Sequence, residues 1–210
     1  MRGIKLKKKL NFKHYKSGVT DVVEIDPLDL RISIQDKAAN KINLPNFATS
    51  GYQWHHVNGV TYPLGILVSE GKVLSNRQPH NKAAGTLIVY KDGTVKVKEL
   101  LNINGEKDVW FAVSGCSVLS KINMVSSGFV GIYSDIGRSA NRPLIGYNPT
   151  KKKIVIAVRK NCSIQTGQTV LKNLGCSIGI TLDAGGSTAL KVNSKLIYST
   201  TRRLYSVVTW

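Results

Sequence analysis

Residues 178–190 read Ile-Gly-Ile-Thr-Leu-Asp-Ala-Gly-Gly-Ser-Thr-Ala-Leu, and this stretch decides how the chain is interpreted. A short apolar run leads directly to one acidic residue, Asp183, and a glycine-rich turn follows it. Only one other carboxylate, Asp135, follows Asp108 in the sequence. A lone acid at the end of a β-type run, before glycines that let a ligand approach the backbone, is typical of a strand-end functional group. The alternative is a capped turn in which Asp183 accepts hydrogen bonds from the N–H groups that follow it.

The pattern around this stretch is mostly that of short β-strands separated by turns. Turn chemistry predicts hairpins at Ser69–Lys72 and Lys91–Thr94, and a third turn at Tyr147–Thr150. One helix is predicted over residues 166–174, capped by Thr166 and ended by Gly175. Strands are predicted over residues 22–26, 30–34, 64–68, 85–90, 94–97, 108–113, 129–133, 154–158, 178–182 and 195–198. The predicted fold class is therefore α+β, a strand-dominated mixed sheet with one or two packed helices.

Length and charge set the broad class. The chain has 210 residues, 42% of them hydrophobic, which suits one core-forming domain. We predict a basic N-terminal arm over residues 1–18, crowded with lysines, and a single domain over residues 19–210. The formal net charge of +18 favours an anionic partner, whether a nucleic acid, a cell-wall polyanion or a phosphorylated substrate. A merely soluble basic protein has the same composition.

Several classes are disfavoured by what the sequence lacks. No apolar run approaches the ~20 residues that span a bilayer, and no apolar segment follows the basic N-terminus as in a secretory signal. We therefore expect a cytoplasmic protein, with release from the cell or association with a virion as alternatives.

The spacing of Cys116, Cys162 and Cys176 is not that of a zinc site, so buried thiols are favoured over a metal site. One disulfide plus a free thiol stays open as an alternative. No cofactor is expected, and the oligomeric state is left open.

Three blocks occur in an order that resembles the phosphodiester glycosidases. Residues 167–190 resemble the family block that ends in Leu-Asp-Gly-Gly-Gly-Ser-Thr, and residues 141–147, Asn-Arg-Pro-Leu-Ile-Gly-Tyr, resemble its Arg-Thr-Ala-Ile-Gly segment. Residues 46–54 resemble its Asn-Gly-x-Phe-Phe segment and lead into a Pro-Leu-Gly run at residues 63–65. The family includes an enzyme that removes N-acetylglucosamine to uncover mannose 6-phosphate. The small size and basic arm fit a bacterial or phage member.

The resemblance implies a hydrolase that cleaves the bond between a sugar's anomeric carbon and a phosphate oxygen. Arg142 would then hold the phosphodiester, because a planar guanidinium binds two phosphate oxygens at once. Asp183 would act on the sugar side, as a base for water, as a nucleophile or by stabilising positive charge. Glu70 and Asp135 are the candidates for a second acid, although Glu70 lies in an apparent hairpin turn and Asp135 has arginine neighbours.

The same resemblance suggests residues that bind the substrate. Backbone N–H groups and hydroxyls after Asp183 could contact phosphate or sugar oxygens, and the segment around residue 50 could form a wall for the sugar. The predicted substrate-binding residues are Thr49, Ser50, Gly51, Tyr52, His55, Gly185, Gly186, Ser187 and Thr188, and no metal ligand is predicted.

The sequence departs from the family pattern at two places. Thr49 stands where the family has Asn, and Ala184 replaces the first of three glycines. Either residue 184 has a negative φ or the loop has shifted. These departures, with the scarcity of acids, support an alternative in which the scaffold binds an anionic glycan, nucleotide-sugar or wall polymer without cleaving it. A weaker alternative is nucleic-acid binding through the basic arm, since no nucleic-acid fold signature is present.

Overall fold

The fold was analysed in a computed structural model, which describes residues 11–39, 44–45, 48–50, 54–57, 60–78, 81–119 and 137–210. For residues 35–39, 48–50, 54–57 and 60–61 only the backbone is described. The strands are β1 Phe12–Ser17, β2 Thr20–Ile25, β3 Arg31–Ala39, β4 Ala48–Ser50, β5 Trp54–Val57, β6 Val60–Pro63, β7 Gly65–Ser69, β8 Lys72–Arg77, β9 Ala84–Tyr90, β10 Val95–Leu100, β11 Val109–Leu119, β12 Ala140–Asn148, β13 Lys153–Cys162, β14 Ile178–Thr181, β15 Leu190–Val192, β16 Lys195–Tyr198 and β17 Leu204–Thr209. The α-helix is α1, Ile164–Asn173, and two 3-10 turns cover Pro27–Asp29 and Gly185–Ser187.

These strands form two sheets and a separate hairpin. A ten-stranded sheet has the order β1-β2-β13-β12-β14-β11-β7-β8, with β9 also pairing with β11 and β10 pairing with β9. A five-stranded sheet has the order β16-β15-β4-β17-β3, and β5 pairs with β6. The strand pairings within the described residues are antiparallel. The predicted strand-dominated α+β fold is confirmed.

The large sheet is covered on both faces. On one face Val23, Ile145 and Ile180 pack in a common core with Val208 and Trp210 of the five-stranded sheet. On the other face α1 packs against the large sheet through residues such as Leu171, which shares a core cluster with Leu144 and Val155. Side chains alternate between the faces along each strand, so neighbouring residues of β12 and β14 serve different layers.

Two glycines let α1 lie close to the sheet. Gly146 of β12 pairs directly with Gly179 of β14, and Leu171 of α1 lies over both. A Cβ on Gly179 would collide with Leu171 and would lie 3.0 Å from the carbonyl oxygen of Ile145. Because close packing leaves no room for an added methyl group, this contact fixes the depth at which the helix sits.

The helix begins earlier than the sequence predicted. Ser163 is the N-cap, and its Oγ accepts a hydrogen bond from the Thr166 N–H at 3.1 Å. The prediction of Thr166 as the cap was wrong, because Ser163 has the extended backbone of a cap and Thr166 supplies the donor instead. Gly175 ends the helix as predicted, with φ +75°, and the N–H of Cys176 closes the end on the Leu171 carbonyl.

The N-terminal boundary also differs from the predicted one. Residues 12–17 of the predicted arm form β1, which pairs with β2 from Phe12↔Ile25 to Ser17↔Thr20. The sheet therefore begins at Phe12, because Phe12 and Tyr15 pack against the buried clusters while Lys13 and Lys16 are exposed. Residues 1–10 lie outside the described part, as does the strand predicted over residues 129–133. No described helix is long and apolar enough to cross a membrane.

Candidate functional site

Asp183 lies just beyond the end of β14, beside β12. Within these two strands Leu144 pairs with Thr181, and the N–H of Leu182 donates to the Pro143 carbonyl at 3.0 Å. The antiparallel pairing thus continues past the assigned end of β14, and its next step places Arg142 opposite Asp183. Directly opposite residues in an antiparallel pair have Cβ atoms about 4.5–5.5 Å apart and share a face of the sheet. The register therefore brings together the two residues predicted to be catalytic.

Arg142 is held rigidly under this edge of the sheet. It is 2% exposed, and its Nε donates to the Cys162 carbonyl at 3.0 Å. Nη2 donates to the Arg138 carbonyl at 2.9 Å, while Nη1 lies 3.5 Å from Thr181 Oγ1. A buried guanidinium is stable only when its N–H groups have acceptors and an anion lies near it. Asp183, just beyond the end of the adjacent strand, is the carboxylate that continuation of the register places beside it.

The turn after Asp183 has a defined backbone. Ala184 is extended, with φ −114° and ψ −177°, and Gly185 carries the positive φ of +68°. Of the two alternatives for residue 184, the negative φ is the one observed. Gly185 and Gly186 are partly exposed, whereas Ser187 and Thr188 are buried.

Two contacts lock this turn in place. The Thr188 hydroxyl donates to the Asn141 carbonyl at 2.6 Å, which ties the turn to the strand of Arg142. On its other side the Gly186 carbonyl accepts from the N–H groups of Thr201 and Arg202 at 2.9 and 3.1 Å, and the Thr200 hydroxyl lies 2.8 Å away. The hydroxyl of the predicted binding residue Thr188 therefore holds the turn in place, and the partly exposed backbone of Gly185 and Gly186 is left to contact a ligand.

The loop over residues 199–203 is a part of the site that the sequence analysis missed. It reads Ser-Thr-Thr-Arg-Arg and lies against the glycine turn, with Arg202 exposed. A Cβ on Gly186 would lie 2.7 Å from Thr201 Oγ1 and 3.1 Å from Arg202 Nε, so a side chain at this position would have to displace those of the loop. A hydroxyl-rich turn with two arginines was the signal available in the sequence.

The segment around residue 50 reaches the same region through its backbone. Strand β4 pairs with β15 so that Thr49 faces Leu190, two residues after Thr188. Ser50 is the last residue of β4 and pairs with Val207. The side chains of these two residues, and all of Gly51 and Tyr52, lie outside the described part. His55 pairs with Tyr62 in the β5–β6 hairpin, and its side chain is not described.

The two candidates for a second acid have different outcomes. Glu70 lies in the β7–β8 turn with φ +51° and forms an ion pair with Arg31 at 2.8 Å, with 59% of its side chain exposed. It pairs on the opposite side of β11 from Asp183, so the surface explanation of this residue holds. Asp135 lies outside the described residues.

The cysteines do not supply a nucleophile. All three are buried free thiols. Burial raises the pKa of Cys116 to about 12, although the nearby Arg142 acts in the opposite direction, and burial also raises the pKa of Cys162. These groups are therefore neutral thiols at physiological pH. Among the described residues there is no group of three His, Cys, Asp or Glu side chains that could hold a metal ion.

A cavity of about 390 Å³ lies elsewhere, at the end of the β9–β10 hairpin. It is lined by Tyr90, Lys91, Asp92, Thr94, Lys96, Lys107 and Asp108. These residues adjoin the start of β11, whereas β14 pairs with β11 from Cys116 onward. At ~3.3 Å per strand residue, the cavity is roughly 20 Å from Asp183. It shares no residue with the predicted site.

Comparison with known proteins places the chain in a family. The family model described as phosphodiester glycosidase matches residues 43–208. No curated protein matches the sequence. The structure is similar to that of the catalytic domain of zebrafish N-acetylglucosamine-1-phosphodiester alpha-N-acetylglucosaminidase, auto-inhibited by its pro-peptide. The TM-score is 0.77 and the sequence identity is 16%, and the match covers 98% of this chain and 84% of that one. A hypothetical protein from Synechocystis gives a TM-score of 0.61 at 13% identity, over 95% of this chain and 61% of that one. The match over most of its length shows that the chain belongs to the phosphodiester glycosidase family.

Proposed function

We propose that this protein hydrolyses the bond between the anomeric carbon of a sugar and the phosphate oxygen of a sugar-phosphate diester. The observation that carries the proposal is the register of β12 and β14, whose continuation past Leu182 sets Arg142 opposite Asp183, with the partly exposed Gly185 and Gly186 alongside. Family membership supports this reaction type. The name of the zebrafish relative supports N-acetylglucosamine 1-phosphodiesters as the first substrates to test.

The proposed reaction breaks the bond between C1 and the bridging oxygen and forms a bond from C1 to a water oxygen. The bridging oxygen keeps its electron pair, so a phosphodiester with one negative charge leaves as a monoester with two. The Arg142 guanidinium stabilises the charge that develops on the leaving phosphate, which is the interaction that lowers the barrier most. Asp183 lies on the sugar side and takes the proton from the attacking water.

The fixed environment of Arg142 suits this role. Bonds to the carbonyls of Cys162 and Arg138 hold the guanidinium plane in one orientation before substrate arrives. A preorganised charge loses no energy to rearrangement during the reaction. The sugar would contact Gly185 and Gly186, and Thr49, Ser50, Gly51, Tyr52 and His55 stay predicted sugar-binding residues.

The proposal is tested with the methyl diester of N-acetyl-α-glucosamine 1-phosphate, by measuring release of N-acetylglucosamine. We expect Asp183→Asn, which keeps the shape and removes the charge, to lower kcat by roughly 10³-fold or more. Glu70→Gln is the matched control, because it makes the same chemical change in the exposed hairpin turn, and it should keep the activity of the unmodified protein. Turnover by Asp183→Asn at the level of Glu70→Gln would remove Asp183 from the mechanism.

Binding of an anionic glycan, a nucleotide-sugar or a wall polymer without cleavage is the second candidate function. Its specific support is the scarcity of acids, because Asp183 is the only carboxylate among the described residues that follow Asp108. A complex with the methyl diester that is recovered intact after prolonged incubation, with no N-acetylglucosamine released, would favour binding over hydrolysis.

A further inference from the structure

Arg142 has a second arginine beside it, on the strand opposite to that of Asp183. In the β12–β13 ladder Arg142 pairs directly with Arg159. Val155 and Ala157 of β13 belong to the cluster that packs on α1, so Arg159, two residues further along, shares the face of Arg142. Arg159 of β13, Arg142 of β12 and Asp183 just beyond the end of β14 thus lie in one row. The Cα atoms at the ends of this row are about 10 Å apart by strand spacing.

One donor of Arg159 is not satisfied by the described part of the fold. Its Nε is buried and has no hydrogen-bond acceptor. Its side chain is half-buried and lies opposite another guanidinium, where like charges repel. A buried donor without an acceptor costs about 1–3 kcal/mol, so this arrangement lowers stability unless an anion occupies the space beside it.

The charge of the row matches the proposed reaction. Arg142 and Arg159 carry two positive charges, and Asp183 carries one negative charge on the sugar side. The bound diester has one negative charge and the departing monoester has two. A single guanidinium would leave the second charge of the monoester uncompensated, whereas two guanidiniums match it.

We propose that Arg159 binds the phosphate of the substrate together with Arg142 and stabilises the departing phosphate monoester. This inference rests on the proposed function and adds a residue to it. Arg159 contacts non-bridging oxygens of the phosphate from β13, while Arg142 contacts the phosphate from the neighbouring strand β12. No motif in the sequence includes Arg159, because it lies 17 positions after Arg142 and meets it only through the sheet register.

The test compares Arg159→Met, which keeps the apolar stem and removes the charge, with Arg159→Lys, which keeps a charge without the planar fork. Arg77→Ala is the charge-matched control. It removes one positive charge from β8, which is five strands from β13 and about 24 Å away. Enzyme assays give kcat and KM for the methyl diester. Titration calorimetry gives the affinities for methyl phosphate and for dimethyl phosphate.

We expect Arg159→Met to lower kcat/KM on the order of 10- to 100-fold, mostly through kcat. Its affinity for the methyl phosphate dianion should fall at least 10-fold, more than its affinity for the dimethyl phosphate monoanion. Arg159→Lys should recover part of both effects, and Arg77→Ala should change neither.

The calorimetry separates this inference from the function on which it rests. Weaker methyl phosphate binding by Arg159→Met, in a protein that never cleaves the diester, would support the arginine pair as an anion site and overturn the hydrolysis. Cleavage and methyl phosphate binding by Arg159→Met equal to those of Arg77→Ala would overturn the role of Arg159 and leave the hydrolysis standing.

Discussion

The bond from Thr188 to Asn141 gives the sharpest test of how the site is held together. The Thr188 hydroxyl donates to the Asn141 carbonyl at 2.6 Å, and Thr188 is 2% exposed. This bond joins the turn after Asp183 to the strand that carries Arg142. Thr188→Val keeps the branched shape and removes only the hydroxyl, so the substitution isolates this link.

The expected cost follows from the bond that is lost. Removing a partly buried hydrogen bond and leaving the Asn141 carbonyl without its donor costs about 1–2 kcal/mol. For a chain of this size that loss lowers Tm by roughly 3–6 °C. The larger effect is on activity, because a misplacement of about 1 Å between reacting groups can cost on the order of 100-fold. We expect kcat/KM for the sugar phosphodiester to fall at least ~10-fold at temperatures where the variant is fully folded.

Thr86→Val is the matched control. Thr86 is fully buried in β9, and its hydroxyl donates to the Ala84 carbonyl at 3.2 Å, so its loss should destabilise the fold similarly. It should leave kcat/KM unchanged, since the Thr86 hydroxyl contacts Ala84 and Ser114 and does not join the turn after Asp183 to β12. Thr188→Ser keeps the hydroxyl and should restore most of the activity. Equal activities for Thr188→Val and Thr86→Val would refute the idea that this bond positions the site.

Three further outcomes are expected. Gly179→Ala should destabilise the fold by about 1–3 kcal/mol, as measured by urea unfolding. The double variant with Leu171→Ala should lose less stability than the sum of the two single losses. If the two losses of stability add, the glycine does not set the depth of α1. Hydrogen bonds from Lys98 and Tyr90 lower the pKa of Glu106 below its unfolded value of 4.5. The stability that these bonds supply is therefore present above that value and is lost as pH falls through the lowered pKa. We expect the free energy of unfolding of Glu106→Gln to depend less on pH in the acid range than that of the unmodified protein. Burial raises the pKa of Cys116 and Cys176 to about 12, so iodoacetamide at pH 8 should label neither thiol in the folded protein, as read by intact mass, and rapid labelling would contradict their burial.

The turns of this fold were predictable because their chemistry is local. The β7–β8 turn places Glu70 and Gly71 at φ +51° and +79°, as the Glu-Gly pair suggests. In the β9–β10 turn, Asp92 accepts a hydrogen bond from the Thr94 N–H at 2.9 Å. Strand β16 was predicted with its observed bounds, and β14 ends one residue before the prediction.

The central strand β12 was not predicted, and the reason is physical. It contains Pro143, which has no N–H to donate and usually argues against an interior strand. The carbonyl of Pro143 accepts from Leu182 N–H, so the residue takes part in the ladder through its acceptor alone. A register irregularity between Ala140 and Arg142 lies beside it. Local pattern does not reveal such a compromise, because it depends on which strands flank the proline.

The candidate site likewise contains residues that local motifs predicted and residues that only the assembled sheet brings together. Arg142 and Asp183 were predicted from motifs that resemble a family, and their adjacency then emerged from the pairing of β12 with β14. Arg159 and the loop at residues 199–203 belong to no such motif. They reach the site only because β13 pairs with β12 and because the Gly186 carbonyl accepts bonds from the loop. Contacts of that kind depend on the assembled sheet.

The departure at Ala184 bears on whether the site can support catalysis. In this turn the positive φ falls on Gly185, and the close approach of the loop falls on Gly186. Ala184 itself is extended, a conformation that any residue adopts without strain. A glycine is therefore present at both positions where the backbone conformation or the close approach of the loop favours one. The family glycine that Ala184 replaces is at a position where the backbone conformation does not require glycine. Ala184 consequently gives no physical reason to prefer binding without cleavage, and the choice between the two functions depends on Asp183 and the arginines beside it.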